Sequence, residues 1–304
     1  MSFVIRNYLS SDFDRLADFY ERTAEHTFLL GNSYSEFLIQ KLKRPGYNPS
    51  KNFFVAEQKN ELIGYADLVY EEQIKRAIAD IFVYSPYRHQ ELGREFMDRL
   101  LRRSCDLSAL SLQAHVPEFN QEAPPFLLKQ KFSLVRYFHT LQMDISKNLF
   151  LDWDFKNIIL KNFGIGEEEE LAALQNKIFS GSWGFCPNTV EEIKYYLQLT
   201  GCLIDEVVCI ETKGQKIGYV WSHKLPKDSG RIHMRIHMLG MDPAHQGKGL
   251  GRKFLQKVLY HLYNSGAKTV ELTVDSQNMP AVSLYDSLGF KLKFRSLWYE
   301  KILS

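Results

Sequence analysis

Apolar and polar positions along the chain follow two periods, and the C-terminal half shows both. Val270, Leu272 and Val274 alternate with polar neighbours, which predicts a strand over 268–274. Phe254, Leu255, Val258, Leu259 and Leu262 instead recur at helical spacing, which predicts an amphipathic helix over 252–264 with Gly266 past its end. Two strands are expected at 207–211 and 216–223, around the turn Thr212-Lys213-Gly214-Gln215, and a longer one at 231–241. A short helix follows over 279–288, with Pro280 early and Gly289 as its terminator, before last strands within 290–303. Strand, turn, helix, strand, helix in this order predicts an α/β fold with a parallel crossover. Each half of the chain opens with a helical pattern, 11–27 and 167–179. The acidic run Glu167 to Glu170 falls in the first turn of the second, where negative charge suits the helix dipole; consecutive residues point to different faces and do not make a metal site.

The pattern is duplicated. Leu92-Gly93-Arg94-Glu95-Phe96 resembles Leu250-Gly251-Arg252-Lys253-Phe254 at an offset of 158, and Asn120, Ala123 and Phe132 match Asn278, Ala281 and Phe290 at the same offset. Residues 88–132 and 246–290 share ten identities in 45 positions without a gap; average composition gives about three by chance. Upstream, Ile63-Gly64-Tyr65 matches Ile217-Gly218-Tyr219 at an offset of 154, and an enlarged turn around 225–230 is expected to supply the four-residue difference. Two related domains, 1–146 and 152–304, are therefore expected, with the boundary between about Asp144 and Phe155.

Composition adds mainly exclusions. The chain has 304 residues, 45% of them hydrophobic and 24% charged, and a formal net charge of +2, so nothing in it asks for nucleic acid or an anionic membrane surface. Cys105, Cys186, Cys202 and Cys209 form no C-x-x-C pair, which argues against zinc and for buried thiols in a reducing compartment. No run has signal-peptide character or approaches the length of a membrane span. A cytoplasmic protein with no metal is expected.

The candidate chemistry sits in Met241-Asp242-Pro243-Ala244-His245-Gln246-Gly247-Lys248-Gly249-Leu250-Gly251-Arg252, where a strand runs through alternate glycines into a helix. Such glycines let backbone N–H groups converge on a pyrophosphate at a helix N-terminus. A P-loop would need Ser or Thr after Lys248, and a dinucleotide fingerprint would need G-x-G-x-x-G; neither fits. The stretch resembles the acetyl-CoA loop of the GNAT superfamily of N-acetyltransferases, Q/R-x-x-G-x-G/A, through Gln246, Gly249 and Gly251. The superfamily's second signature, N-x-x-A-x-x-L-Y-x-x-x-G-F, is matched by Asn278, Ala281, Leu284, Tyr285, Gly289 and Phe290, in the right order and spacing. The resemblance implies a tandem GNAT fold, two mixed sheets each flanked by helices, with acetyl-CoA as co-substrate.

It also implies roles. Tyr285 takes the place of the phenol that protonates the departing thiolate, against a bland reading as a core residue. Backbone groups of Leu239, Gly240 and Met241 would hold the pantetheine arm and polarise the carbonyl, and Gln246 to Arg252, including Lys248, would hold the phosphates. Asn278 would bind the coenzyme arm or an ordered water, or merely cap its helix. Arg235, His237, Leu239 and Met241 share one strand face by the two-residue period. His237, at a position that matches a strand histidine of serotonin N-acetyltransferases, is a candidate base or a structural histidine; His233 is a weaker candidate. At the same offset the N-terminal half carries Arg88 for Gln246, Glu91 for Gly249, Leu127 for Tyr285 and Lys131 for Gly289. That half is expected to have lost catalysis and coenzyme binding, leaving a structural role or the shaping of the acceptor site. The layout is similar to that of the mycothiol synthases, tandem members with one competent half, as is the stretch Gly181 to Thr189. The expected reaction is direct attack of a small-molecule primary amine on acetyl-CoA. The alternatives are a protein or peptide N-acetyltransferase and a non-catalytic acyl-CoA-binding protein.

Overall fold

The structure is a computed structural model and describes residues 3–23, 34–88, 91–155, 158–164, 166–198, 206–212, 214–225 and 232–303. The chain divides into two compact units, Met1–Arg136 with Ser296–Ser304, and Tyr137–Arg295. In chain order the first unit contains β1 (Val4–Asn7), α1 (Phe13–Arg22), α2 (Tyr34–Leu42), α3 (Pro49–Asn52), β2 (Phe53–Gln58), β3 (Glu61–Glu71), β4 (Arg76–Val83), α4 (Leu92–Asp106), β5 (Ser111–Pro117) and α5 (Ala123–Lys129). After β6 (Ser133–Asp144) come β7 (Leu160–Asn162), α6 (Glu168–Phe179), α7 (Val190–Gln198), β8 (Glu206–Thr212), β9 (Gln215–Leu225), β10 (Ile232–Met241), α8 (Leu250–Asn264), β11 (Ala267–Asp275), α9 (Met279–Leu288) and β12 (Lys291–Ile302). The predicted elements of the C-terminal half appear within a few residues of their expected bounds, except that 290–303 forms one strand. The Thr212–Gln215 turn includes Lys213, and the 225–230 turn includes 226–230, which lie outside the described residues.

The strands of the two units are ordered alike, and they belong to a single sheet of twelve strands rather than the two sheets expected. In the first unit the strand order is β1-β2-β3-β4-β5-β12, antiparallel except for β4 beside β5. In the second it is β7-β8-β9-β10-β11-β6, antiparallel except for β10 beside β11. The last strand of each repeat is exchanged: Phe138–Asp144 of β6 pairs with β11, and Ser296–Ile302 of β12 pairs with β5. By packing, the expected boundary region 144–155 lies inside the second unit, where Ile145 and Phe150 are core residues.

Duplication is visible atom by atom. Gly64 faces Val83 and Gly218 faces Met241 across equivalent strand pairs. A Cβ on Gly64 would stand 2.7 Å from the Phe82 carbonyl oxygen, and one on Gly218 would stand 2.9 Å from that of Gly240, so both strands need glycine there. In the second unit, Phe254, Leu255, Val258, Leu259 and Leu262 of α8 are buried against Val270, Leu272, Met234 and Ile236 of the sheet, as the helical spacing requires. The other sheet face, with Tyr219 and Trp221, is covered by Leu171, Leu174 and Ile193 of α6 and α7. Glu167 and Glu170 bind Lys216, and Glu168 accepts from the Gly166 N–H; the acidic run thus anchors the start of α6.

Candidate active site

The site begins where two parallel strands part. Pairing of β10 with β11 ends at Ile236↔Leu272, although β10 continues to Met241 and β11 to Asp275. On its other flank β10 stays paired with β9, but its register slips between Ile236 and Met238, making His237 the extra residue of a β-bulge. The edge of β10 from His237 to Met241 that faces the gap therefore keeps backbone groups outside the parallel ladder. These include the Leu239–Met241 segment expected to hold a thioester arm.

The bulge corrects two expectations. Residues 72–75 connect β3 to β4, whereas 226–232 separate the paired residues Leu225 and His233, so the turn supplies three of the four extra residues and His237 is the fourth. The bulge also breaks the period of two. Met234 and Ile236 pack with Leu239 and Met241 in the α8 core, so Leu239 and Met241 do not share a face with Arg235 and His237.

Beyond Met241 the chain makes a short turn and enters α8 through the glycine loop. Asp242, 1% exposed, accepts from the Ala244 N–H at 3.0 Å and receives the Lys177 ammonium at 2.6 Å, which ties the turn to α6. The side-chain amide of Gln246 donates to the Met241 carbonyl at 2.8 Å. In the first unit Arg88 does the same, its Nε donating to the Val83 carbonyl at 3.1 Å, so Gln and Arg serve there as braces from loop to strand. Gly247 and Gly249 have φ of +75° and +74°, values that glycine takes freely. Gly251 does not, yet a Cβ on any of the three would meet no atom within 4 Å. The first helical bond runs from Lys253 N–H to the Gly249 carbonyl, so the N–H groups of Leu250, Gly251 and Arg252 lie ahead of it. Open space above donors at the positive end of a 15-residue helix suits the phosphates of a coenzyme. Lys248 rests on the Ala244 carbonyl at 3.2 Å and Arg252 on the Ser287 hydroxyl at 2.6 Å.

The equivalent loop of the first unit carries side chains where the second has bare glycine. Glu91 keeps the left-handed backbone at φ +61° with a carboxylate attached, and the Phe126 ring comes within 3.7 Å of the Cβ position on Gly93. Arg88 is further engaged by Glu122 at 3.0 Å.

Asn278 and Tyr285 come from α9. Asn278 caps its helix, its side chain accepting from the Ala281 N–H at 3.3 Å, and Asn120, two residues before the N-cap of α5, likewise accepts from the Ala123 N–H at 3.0 Å. Satisfying N–H groups of the first helical turn alone accounts for an asparagine in both halves. Tyr285 is 7% exposed and packs edge-on against Phe290, and burial pushes its phenol up to about 12, so it stays protonated. Among the described residues its hydroxyl has no hydrogen-bond partner.

A polar network lies beside the bulge. Buried Glu271 binds His233 at 3.1 Å and Lys293 at 3.0 Å, with Arg235 at 3.6 Å; His233 also bonds Thr269. The fully buried His233 is thus committed to structure. His237 is surface-exposed, but desolvation by surrounding protein, and then the Arg235 charge, lowers its pKa to about 4. The imidazole is therefore neutral near pH 7. The pattern reading missed His223, 5% exposed on β9. A polar residue continuing the buried Tyr219, Trp221 alternation was its signal.

Sheet, crossover and glycine loop define a tandem α/β acyltransferase. Residues 13–132 and 169–290 match the acetyltransferase (GNAT) family, and the chain belongs to it as an acetyl-CoA-dependent acetyltransferase of tandem type. A mycothiol acetyltransferase of Acidothermus cellulolyticus is 25% identical over 276 residues, covering 84% of this chain and 82% of that protein. Another, from Stackebrandtia nassauensis, is 25% identical over 287 residues, covering 90% of each. In fold, a tandem GNAT protein from the clavulanic acid biosynthesis pathway superposes with a TM-score of 0.76 at 13% identity, covering 99% of this chain and 98% of that one. Among the described residues no helix is long and apolar enough to cross a membrane, and no cluster of metal-ligating side chains occurs.

Proposed function

We propose that the chain transfers acetyl from acetyl-CoA to the primary amine of a small molecule, using only the second unit. The observation that carries this reading is the contrast between the loops: nothing stands within 4 Å of a Cβ on Gly247, Gly249 or Gly251, whereas the first unit carries Glu91 in place of Gly249 and the Phe126 ring 3.7 Å from the Cβ position of Gly93. Gln246 to Arg252 would hold the phosphates, with the backbone of Leu239, Gly240 and Met241 along the thioester arm. A small acceptor is favoured because the relatives, matched over more than four-fifths of their length, are named for acetyl transfer in the chemistry of mycothiol, a small thiol.

Attack of the neutral amine on the thioester carbonyl forms the C–N bond and makes the nitrogen cationic and more acidic than a free ammonium. His237, neutral near pH 7, takes that proton as the C–S bond breaks, when the nitrogen acquires the strong acidity of a protonated amide and even a weakly basic imidazole can accept it. Collapse breaks the C–S bond, and Tyr285, protonated at every working pH, gives its proton to the thiolate. The first unit serves as a scaffold.

Thiol release measured over a panel of primary amines and peptides tests the proposal. Turnover is expected with small amines, and should fall about 10²-fold in Tyr285→Phe with acetyl-CoA affinity kept. Release with peptides alone would move the assignment to peptide acetylation, and no release with any acceptor would remove catalysis.

A further inference from the structure

The ring of His223 lies 6.0 Å, centroid to centroid, from that of His237, and its Nε2 is buried without a hydrogen-bond partner. Its Cα partner on β10 is Arg235, and the bulge follows two residues later, which sets both imidazoles on the sheet face opposite the α8 core. Leaving a buried ring nitrogen unsatisfied costs free energy, and native proteins fill such positions with water or ligand. Two rings at this separation are too far apart for a direct bond and suitably spaced for one bridging water.

We propose that His223 is a positioning residue of the acetyl-transfer site, its Nε2 accepting from an ordered water that in turn accepts the N–H of His237. The inference rests on the proposed reading of His237. Donation through that water fixes one tautomer of His237 and leaves its other nitrogen as the acceptor for the amine's proton. The proton passes from the attacking nitrogen to that free nitrogen; the N–H toward the water stays in place, and the cation formed is stabilised by it until solvent removes the proton. Buried desolvation, together with His237 and Arg235, lowers the His223 pKa to about 3, so it does not compete for the proton.

Nitrogen-15 spectra of the full chain, with His237 assigned through His237→Gln, test this. His237 should show one neutral tautomer in the parent chain and in His223→Gln, whose amide oxygen replaces Nε2, and a mixture of tautomers in His223→Phe. Turnover should fall about tenfold in His223→Phe, the worth of one hydrogen bond, be largely restored in His223→Gln, and leave acetyl-CoA affinity unchanged. An unchanged single tautomer in His223→Phe, or equal losses in the two His223 variants, overturns the inference. Full activity in His237→Gln would instead overturn the reading of His237 beneath it.

Discussion

Gly251→Ala separates folding from coenzyme binding more cleanly than any other change in the loop. Gly251 is the second residue of α8, has no positive φ, and a Cβ there meets nothing within 4 Å. Folding therefore gives no reason for glycine, and alanine should stabilise the helix by about 0.5 kcal/mol, short of the roughly 1 kcal/mol of a helix interior. In a unit of this size that raises the melting temperature by about 1–2 °C. The same methyl group stands in the space assigned to the phosphates. Loss of one charge-assisted hydrogen bond, about 1.5–3 kcal/mol, should weaken acetyl-CoA binding by roughly 10- to 150-fold. Calorimetric titration and thermal melts on one preparation read both quantities. Gly249→Ala cannot serve, because φ there is +74° and a weaker affinity would be confounded with backbone strain. Gly93→Ala is the control: it meets the Phe126 ring at 3.7 Å, an ordinary contact, and should leave affinity untouched. A Gly251→Ala chain that melts no lower and binds acetyl-CoA as tightly as its parent would refute the cradle.

Three further outcomes follow from the same geometry. Lys131 occupies the left-handed position that Gly289 fills in the second unit, at φ +63° against +100°. Lys131→Gly should therefore stabilise by about 0.5–1 kcal/mol in denaturant titration, strain relieved less glycine's entropy, with turnover unchanged. Glu271 has its pKa held at about 2, against 4.5 for an ordinary glutamate, by His233, Lys293 and Arg235 acting against desolvation. A depressed carboxylate stabilises the fold above its unfolded pKa, so up to about 3 kcal/mol should be lost as pH falls from about 5 to 2; Glu271→Gln should flatten that part of the stability curve. His237, with a pKa of about 4, should leave no inflection in kcat/KM between pH 5 and 8; an inflection near 6.5 that His237→Gln removes would contradict its environment.

The glycine loop and the second signature were legible because the chemistry fixes residue types at fixed spacing: alternate glycines for close approach, Asn278 before a helix, Gly289 after it. The amphipathic period of α8 likewise named its own core face. The strand exchange was not legible. β6 and β12 stand at the same offset of 158, as do the edges they complete on β5 and β11, so local pattern cannot say which last strand joins which unit. The bulge was hidden for a related reason. A one-residue insertion at His237 and a longer turn produce the same shift of offset, and only the register of β9 against β10 tells them apart. That one residue moved Leu239 and Met241 to the face opposite the predicted one.

On the proposed function one coenzyme binds, and it binds the second unit. The most direct measurement is a crystal structure of the chain soaked with acetyl-CoA in excess. One coenzyme per chain is expected, its pyrophosphate over the α8 N-terminus between Gln246 and Arg252, its thioester in the gap beyond Ile236 and Leu272, and the Tyr285 hydroxyl nearest the sulfur. Coenzyme over Arg88 to Gly93, in place of this site or in addition to it, would show that the second unit is not the sole binding site.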